Sequence, residues 1–482
     1  MIFRDDTIAA VATPPGEGGI AIVRVSGAGA LSIATRIFRQ HNSKVPLERY
    51  GGYTIHYGRF VDPISGEGVD DGLLTTFRTP HSYTGEDTVE LSCHGGRATT
   101  ARVLQLTLDA GARLAEPGEF TQRAFLNGRI DLAQAEAVAD VIRARTQEAR
   151  RLARRQLDGL LSKTVLRLKD ELIGILAAIE VTIDFSEEVG ELDHATILPR
   201  IALVQAEVER LLLSAERGRI LREGLRVAIA GRPNVGKSSL LNALLRHDRA
   251  IVTPIAGTTR DLLEEPANIE GVPVVFVDTA GMRDTDDPVE RIGVERARNA
   301  VTQADVVLFV LDASLPLTDE DRDIARRLAD SAEVRILVVQ NKIDLANVAE
   351  GSVQENSDTL LAQLPPLSHA HTQIVPVSAA TGEGIERLER LLIRRDSPDE
   401  AETDAGESIS NGVVVANARH QQALSAALAS LIEAVNTTEA GLPGDFIAID
   451  VRGALDQLGQ ITGETVTEEI IHRIFRDFCV GK

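Results

Sequence analysis

Phosphate chemistry is concentrated in one stretch near the middle of the chain, Gly231-Arg232-Pro233-Asn234-Val235-Gly236-Lys237-Ser238. Backbone N–H groups of such a loop cradle phosphates, Lys237 reaches the terminal phosphates, and the Ser238 hydroxyl, followed by Ser239, can ligate Mg²⁺. Downstream, Asp278-Thr279-Ala280-Gly281 closes the apolar run Val274-Val275-Phe276-Val277 and places a carboxylate near the metal. Asn341-Lys342-Ile343-Asp344 closes a second run, residues 334–339, and Ser378-Ala379-Ala380 follows Ile374-Val375-Pro376-Val377. A buried carboxylate at Asp344 would accept hydrogen bonds from the guanine ring N–H and amino group, which adenine cannot supply. Four motifs in this order, each after an apolar run, imply a GTP-binding domain.

Strands must deliver these residues and a helix must receive the phosphates. Val227-Ala228-Ile229-Ala230 reads as a buried strand and Ser239-Leu240-Leu241-Asn242-Ala243-Leu244-Leu245 as a helix start. Upstream, residues 1–125 alternate short strands (7–12, 20–25, 73–77 and 88–92) with one helix at 96–110. From Leu132 to Phe185 apolar residues fall at helical spacing, and a second helix is expected over 197–221. An acidic linker with Pro and Gly begins at Asp396, and helical pattern resumes near Val414. The expectation is a multidomain chain. An α+β N-terminal domain (1–125) precedes an all-α helical domain in two parts (126–224 and 396–482), with an α/β P-loop, Ras-like GTPase domain (225–395) inserted between them.

Composition narrows the partners. The 482 residues suit roughly three domains of about 150 residues. A net charge of −21 argues against indiscriminate attraction to nucleic acid or membrane, so any RNA contact needs a local basic patch. Two cysteines far apart, Cys93 and Cys479, exclude a disulfide framework and fit a reducing cytoplasm. No apolar run approaches a membrane span, and the N-terminus is too acidic for a signal peptide.

Other segments carry a resemblance. Asp6-Thr7-Ile8-Ala9-Ala10-Val11-Ala12-Thr13-Pro14-Pro15-Gly16-Glu17-Gly18-Gly19, Ser82-Tyr83-Thr84-Gly85-Glu86-Asp87, His94-Gly95-Gly96, Pro117-Gly118-Glu119-Phe120-Thr121, Arg123-Ala124-Phe125-Leu126-Asn127, Asp131-Leu132-Ala133-Gln134-Ala135-Glu136 and the terminal Cys479-Val480-Gly481-Lys482 frame the GTPase segment. Over essentially its whole length the chain resembles the MnmE (TrmE) family of bacterial tRNA-modification GTPases. The resemblance implies an N-terminal folate-binding and dimerisation domain, a helical domain, and a potassium-dependent GTPase that acts as a homodimer. It also implies a FAD-dependent partner, MnmG (GidA), in a heterotetramer. Together the two would build an aminomethyl or carboxymethylaminomethyl group on carbon 5 of the tRNA wobble uridine. The one-carbon unit would come from 5-formyl- or methylene-tetrahydrofolate, and FAD would enter only through the partner. Periodicity and composition say nothing of that chemistry.

Particular residues can be weighed both ways. Met282 stands where Ras-like enzymes carry a water-orienting Gln, and a thioether cannot hold a nucleophilic water. By the resemblance Glu290 supplies that contact; the alternative is a solvated switch-region charge. The resemblance also implies K⁺ at the β/γ-phosphates, with Asn234 as a side-chain ligand and Thr253, Ile255 and Thr258 in the loop that supplies mainly carbonyl oxygens. Thr259 would join Ser238 on Mg²⁺. For folate it points to Arg24, Glu90, Arg129 and Lys482; Arg24 and Glu90 could equally be an ion pair across neighbouring strands. Arg129 departs from the Lys of some relatives. Cys479 is a reactive thiol or a packing residue. Cys93-His94 offers too few ligands for zinc. The run Arg143, Arg145, Arg150, Arg151, Arg154 and Arg155 is a solvated helix face or a tRNA phosphate contact. The rival class is a regulatory GTPase switch in ribosome assembly, of the Era or Der kind, without substrate chemistry. Such proteins carry a basic accessory module, whereas the flanks here are acidic to neutral.

Overall fold

Alternating apolar residues in the N-terminal segment build a seven-stranded sheet, β1 (Ile8–Val11), β2 (Gly18–Ser26), β3 (Phe38–Gln40), β4 (Thr54–Val61), β5 (Gly68–Phe77), β6 (Thr88–Gly95) and β7 (Arg113–Leu114). In this computed structural model the described residues are 6–41, 45–190, 192–247, 264–278, 301–329, 334–345, 363–364, 372–393, 412–476 and 478–481. The strand order is β3-β4-β5-β6-β2-β1-β7, antiparallel except for the β1–β7 pair. Because side chains alternate across a sheet, Val23, Val25, Leu74, Val89 and Leu91 face one way. They form a core with the helices Ala30–Ile37 and Arg97–Asp109. The other face carries one row in register across five strands, Ala10, Arg24, Glu90, Thr75 and Ile55.

This segment corrects the expectation of a single helix. Besides Arg97–Asp109 it holds Ala30–Ile37 and Glu119–Leu126. The first is two turns long and buries Ala30, Leu31, Ile33, Ala34 and Ile37, a pattern too short to stand out between strands. The second is fixed by ion pairs from distant residues.

The chain divides into two contact units. The first comprises Met1–Ile142, Arg154–Arg210 and Gln422–Lys482; the second comprises Arg143–Ala153 and Leu211–Gln421. In the first, the helix Leu160–Asp184 buries Leu161, Val165, Leu168, Leu172, Ile175 and Ile179, spaced at three and four residues. It packs against Gly444–Thr462, which buries Val451, Ala454, Leu458 and Ile461. The helix expected over 197–221 is broken in two, His194–Leu213 and Ala215–Glu223.

The second unit is a doubly wound sheet, β8 (Leu225–Ala230), β9 (Glu264–Ile269), β10 (Val272–Asp278), β11 (Val306–Asp312), β12 (Arg335–Asn341) and β13 (Gln373–Pro376), in the order β13-β12-β11-β8-β10-β9. All pairs are parallel except β9–β10. Every residue of β11 is buried: Val306, Leu308 and Val310 join the core on one face, and Val307, Phe309 and Leu311 the core on the other. In such sheets ligands bind beyond the carboxyl ends of the strands, at the point where the winding reverses. Here that point is the end of β8. The multidomain α+β, all-α and α/β layout expected from the sequence is what the structure has.

Leu172 is fully buried in the helical pair. Leu172→Ala should lower the unfolding free energy of this unit by about 2–5 kcal/mol in urea titration, the range for a buried Leu whose site cannot collapse.

Candidate functional site

Four polar segments meet at the carboxyl edge of the second sheet. β8 runs into the loop 231–236, and the helix Lys237–His247 starts directly behind it, so its first N–H groups face the loop. β10 ends at Asp278, β12 at Asn341, and β13 leads into Val377-Ser378. Buried Asn341 ties three of these together: its Nδ2 donates to the Val235 carbonyl at 2.9 Å, and its Oδ1 accepts the Ala379 N–H at 3.0 Å. The Lys342 ammonium donates to the Asn234 carbonyl and to Asp312 Oδ2, each at 2.7 Å. The buried Ser378 hydroxyl donates to Asp344 Oδ1 at 2.6 Å.

Val235 is buried, whereas Asn234, Ser238, Ser239, Asp344 and Ala380 are exposed and Gly236, Lys237, Lys342 and Ala379 half-buried. The expectation of a buried carboxylate at Asp344 is therefore corrected. Asp344 lies in the turn Ile343–Leu345 beyond the strand end, and Ser378 is the buried member of the pair. Lys237 donates to the carbonyls of Gly231 and Arg232 at 2.8 and 2.9 Å, folded onto its own loop. Thr253, Ile255, Thr258, Thr259, Thr279, Ala280, Gly281, Met282, Glu290 and Lys482 lie outside the described residues.

Asp312 is a site residue that the motifs did not reveal. Burial would raise its pKa, but hydrogen bonds from Lys342 and Ser314 outweigh that and hold it below the usual carboxylate range. It therefore stays a strong acceptor for Lys342. The available signal was one acid ending an unbroken apolar strand.

A second cluster lies in the first unit. Arg24 and Glu90 are direct cross-strand partners, with Nε and Nη2 both on Glu90 Oε1 at 3.0 and 2.9 Å. Arg24 Nη1 donates to the Gly481 carbonyl at 3.3 Å, and its Cζ lies 5.7 Å from the ring centres of both Tyr83 and Phe120. Arg129 is exposed and donates from Nε to the Ser82 carbonyl at 3.1 Å. Cys479 is exposed, and its carbonyl accepts the Gly118 N–H at 3.3 Å. The strand pairing and the ion pair left open in the sequence are thus both present. Tyr83 and Phe120 belong to the site although only their segments, not their roles, stood out in the sequence.

Behind this cluster Arg123, with its side chain 8% exposed, pairs with Asp6 at 2.6 Å, Glu86 at 3.2 Å and Glu119 at 3.0 Å, while Arg113 pairs with Asp6 and Glu119 at 2.8 and 2.7 Å. Burial tends to raise the Glu119 and Asp6 carboxyls, yet the two guanidiniums pull both below their ordinary values. Arg113 is pushed up by Glu119 and Asp6.

Two remaining candidates were also singled out in the sequence. Arg151 and Arg154 are exposed and pair with Glu148 and Asp158, three and four residues away along the chain. Cys93 is buried, which pushes its thiol up, and among the described residues no cluster of three metal-ligating side chains occurs. Among the described residues no helix is long and apolar enough to cross a membrane.

Comparisons with known proteins agree with this layout. The family model described as the MnmE helical domain matches residues 132–479, and that of the GTP-binding protein TrmE N-terminus matches residues 7–129. The chain is 48% identical over 481 residues to the tRNA modification GTPase MnmE of Carboxydothermus hydrogenoformans, covering all of both chains. It is 47% identical over 487 residues to the protein of the same name from Thermoanaerobacter pseudethanolicus, again covering both completely. Among solved structures, Aquifex aeolicus Era bound to GDP and AlF4⁻ is similar at 29% identity and a TM-score of 0.29, over 43% of this chain and 66% of that one.

Two outcomes test these residues. If Asp344 reads the guanine edge, as its motif implies, Asp344→Asn should weaken GTP binding by about 1.5–3 kcal/mol, the range for a hydrogen bond to a charged group, and admit xanthosine triphosphate in a nucleotide-binding titration. Glu119→Gln should destabilise the first unit by about 1–3 kcal/mol at pH 7, in urea unfolding followed by pH. Since the folded pKa of Glu119 is depressed, the difference from wild type should persist above about pH 4–5 and fade as pH drops through the lower folded value.

Proposed function

We propose that this chain, which belongs to the MnmE family of tRNA-modification GTPases, is a potassium-dependent GTP hydrolase that works with a FAD-dependent MnmG partner. Together they would add an aminomethyl or carboxymethylaminomethyl group to carbon 5 of the wobble uridine of certain tRNAs. The observation that carries the reading is the convergence of the phosphate loop, Asp278, Asn341 and Ser378 at one sheet edge. Lys237 and the helix N-terminus stabilise charge on the phosphates, Ser238 with Thr259 holds Mg²⁺, and Asp344 reads the base. Thr253, Thr258, Asp278, Thr279, Ala280 and Gly281 complete the nucleotide site. Glu290 orients the attacking water in place of the Gln that Met282 displaces. Asn234, with Thr253, Ile255 and Thr258, would hold potassium, which would supply positive charge beside the phosphates; the exposed Asn234 amide is a hard oxygen donor that suits it.

Tetrahydrofolate, when bound, supplies the one-carbon unit. The fit of its candidate site rests on a guanidinium–carboxylate pair flanked by two aromatic rings, groups that match a heteroaromatic ring with amide edges and a carboxylate tail. Arg24, Glu90, Arg129 and Lys482 would hold the ligand, and Cys479 would present its thiol from the same segment. A homodimer accords with the sheet face that carries this pair. In register with Glu90 and its neighbours lie Ile55 and Tyr57, 66% and 57% exposed, with Leu73 beside them. An apolar stripe of that kind on a sheet suits a second protein surface. We place the protein in the cytoplasm, where tRNA and reduced thiols are found.

Hydrolysis should be slow in NaCl and fast in KCl, and Asn234→Ala should lose the difference while still binding GTP. Equal turnover of wild type in both salts would remove the potassium assignment. Glu290→Ala should lower the turnover number by about one to three orders of magnitude, with nucleotide affinity nearly unchanged. A parallel fall in affinity would make Glu290 structural.

A further inference from the structure

We infer that Gly118 and the first turn of the helix Glu119–Leu126 form a clasp that seats the C-terminal segment beside Arg24 and thereby sets where Cys479 stands. The inference deepens the folate reading and rests on it only for the identity of the ligand. The clasp acts through other groups, so its residues are positioning residues.

Contacts leave this turn in three directions. The Gly118 N–H reaches the Cys479 carbonyl at 3.3 Å. The fully buried Phe120 ring lies against Arg24, and the Thr121 hydroxyl is 2.9 Å from the hydroxyl of Tyr83, whose ring lies against Arg24 as well. The fourth residue, Glu119, directs its carboxylate into the ion network, onto Arg113 and Arg123, and also accepts the Glu116 N–H at 2.8 Å. One end of the turn is therefore anchored in buried charge, and the rest meets both halves of the candidate site.

The segment it holds is fitted to it at atomic range. Gly118 has φ +70°, and a Cβ there would stand 2.5 Å from the Phe475 carbonyl oxygen and 3.0 Å from Phe478 Cβ. Phe475 and Phe478 pack tilted against each other at 5.3 Å between ring centres, within an apolar cluster that includes Leu132 and Ile471. At the far end Gly481, φ +95°, lies so close to β1 that a Cβ would meet the Val11 carbonyl oxygen at 2.3 Å, while its own carbonyl accepts from Arg24. Two left-handed glycines thus pin the segment on either side of Cys479. Any side chain at either position is opposed both by backbone conformation and by a backbone oxygen that cannot move aside.

Hydrogen–deuterium exchange on the full-length protein, read on the C-terminal peptide, measures the seating. Gly118→Ala should speed exchange at the Phe478 amide about tenfold or more, while amides of the Leu160–Asp184 helix keep their wild-type rates. Affinity for 5-formyltetrahydrofolate should fall about tenfold or more, and GTP hydrolysis should stay within about twofold, because the clasp belongs to the first unit and the phosphate loop to the second. Gly481→Ala, at the residue before Lys482, should reproduce the exchange result and decides the matter if Gly118→Ala does not fold. Wild-type exchange at the C-terminal peptide in both variants would overturn the clasp. Faster exchange with unchanged folate affinity would uphold the clasp and remove the C-terminal segment from the folate site. Absence of folate binding by the wild type would refute the folate reading, and the exchange rates would still decide the clasp.

Discussion

One buried amide holds the nucleotide edge together. Asn341 ends β12 and spends its Nδ2 on the phosphate loop and its Oδ1 on the loop after β13. A buried side chain that satisfies both a carbonyl and an N–H leaves each loop only one low-energy position, since losing either bond would strand a buried polar group. Lys342 adds a second tie to the same loop from Asp312, and Ser378 hands the arrangement on to Asp344. The phosphate and base halves of the site are therefore one rigid frame, fixed by side chains that need not touch the nucleotide's reacting atoms.

The first unit uses charge for the same purpose. Arg123 gathers carboxylates from the N-terminal segment, the loop before β6 and the helix Glu119–Leu126, and Arg113 shares two of them. Charge pairs contribute little net stability here, yet removing a partner of the buried Arg123 or Glu119 is costly because the remaining charge is left uncompensated. The network therefore acts chiefly as a register device. It sets the helix that carries Phe120 and Thr121 against the strand that carries Arg24.

Much of the second unit was legible in the sequence because its motifs are short and lie at the ends of continuous apolar strands. In the first unit the pattern was weaker. The helix Ala30–Ile37 is too brief for its period to emerge, and β4 exposes Ile55 and Tyr57 on one face, so apolar residues alone did not mark which side is core. The Arg24–Glu90 pair joins residues 66 apart in sequence, and nothing local announces that partnership. Asp312 is similar: it pairs across β11 and β12 directly with Asn341, which brings the next residue, Lys342, within reach, and only strand register reveals this. The site was visible as motifs; its supports are visible only as geometry.

The most direct test joins both units in one reaction. Purified protein, the proposed FAD-dependent partner, unmodified tRNA and methylenetetrahydrofolate would be incubated in KCl with and without GTP, and the digested nucleosides read by mass spectrometry. The expected result is a new group on carbon 5 of the wobble uridine that requires this protein, the folate and GTP hydrolysis together. An unmodified wobble uridine while GTP is steadily hydrolysed, or the same modification without this protein, would contradict it.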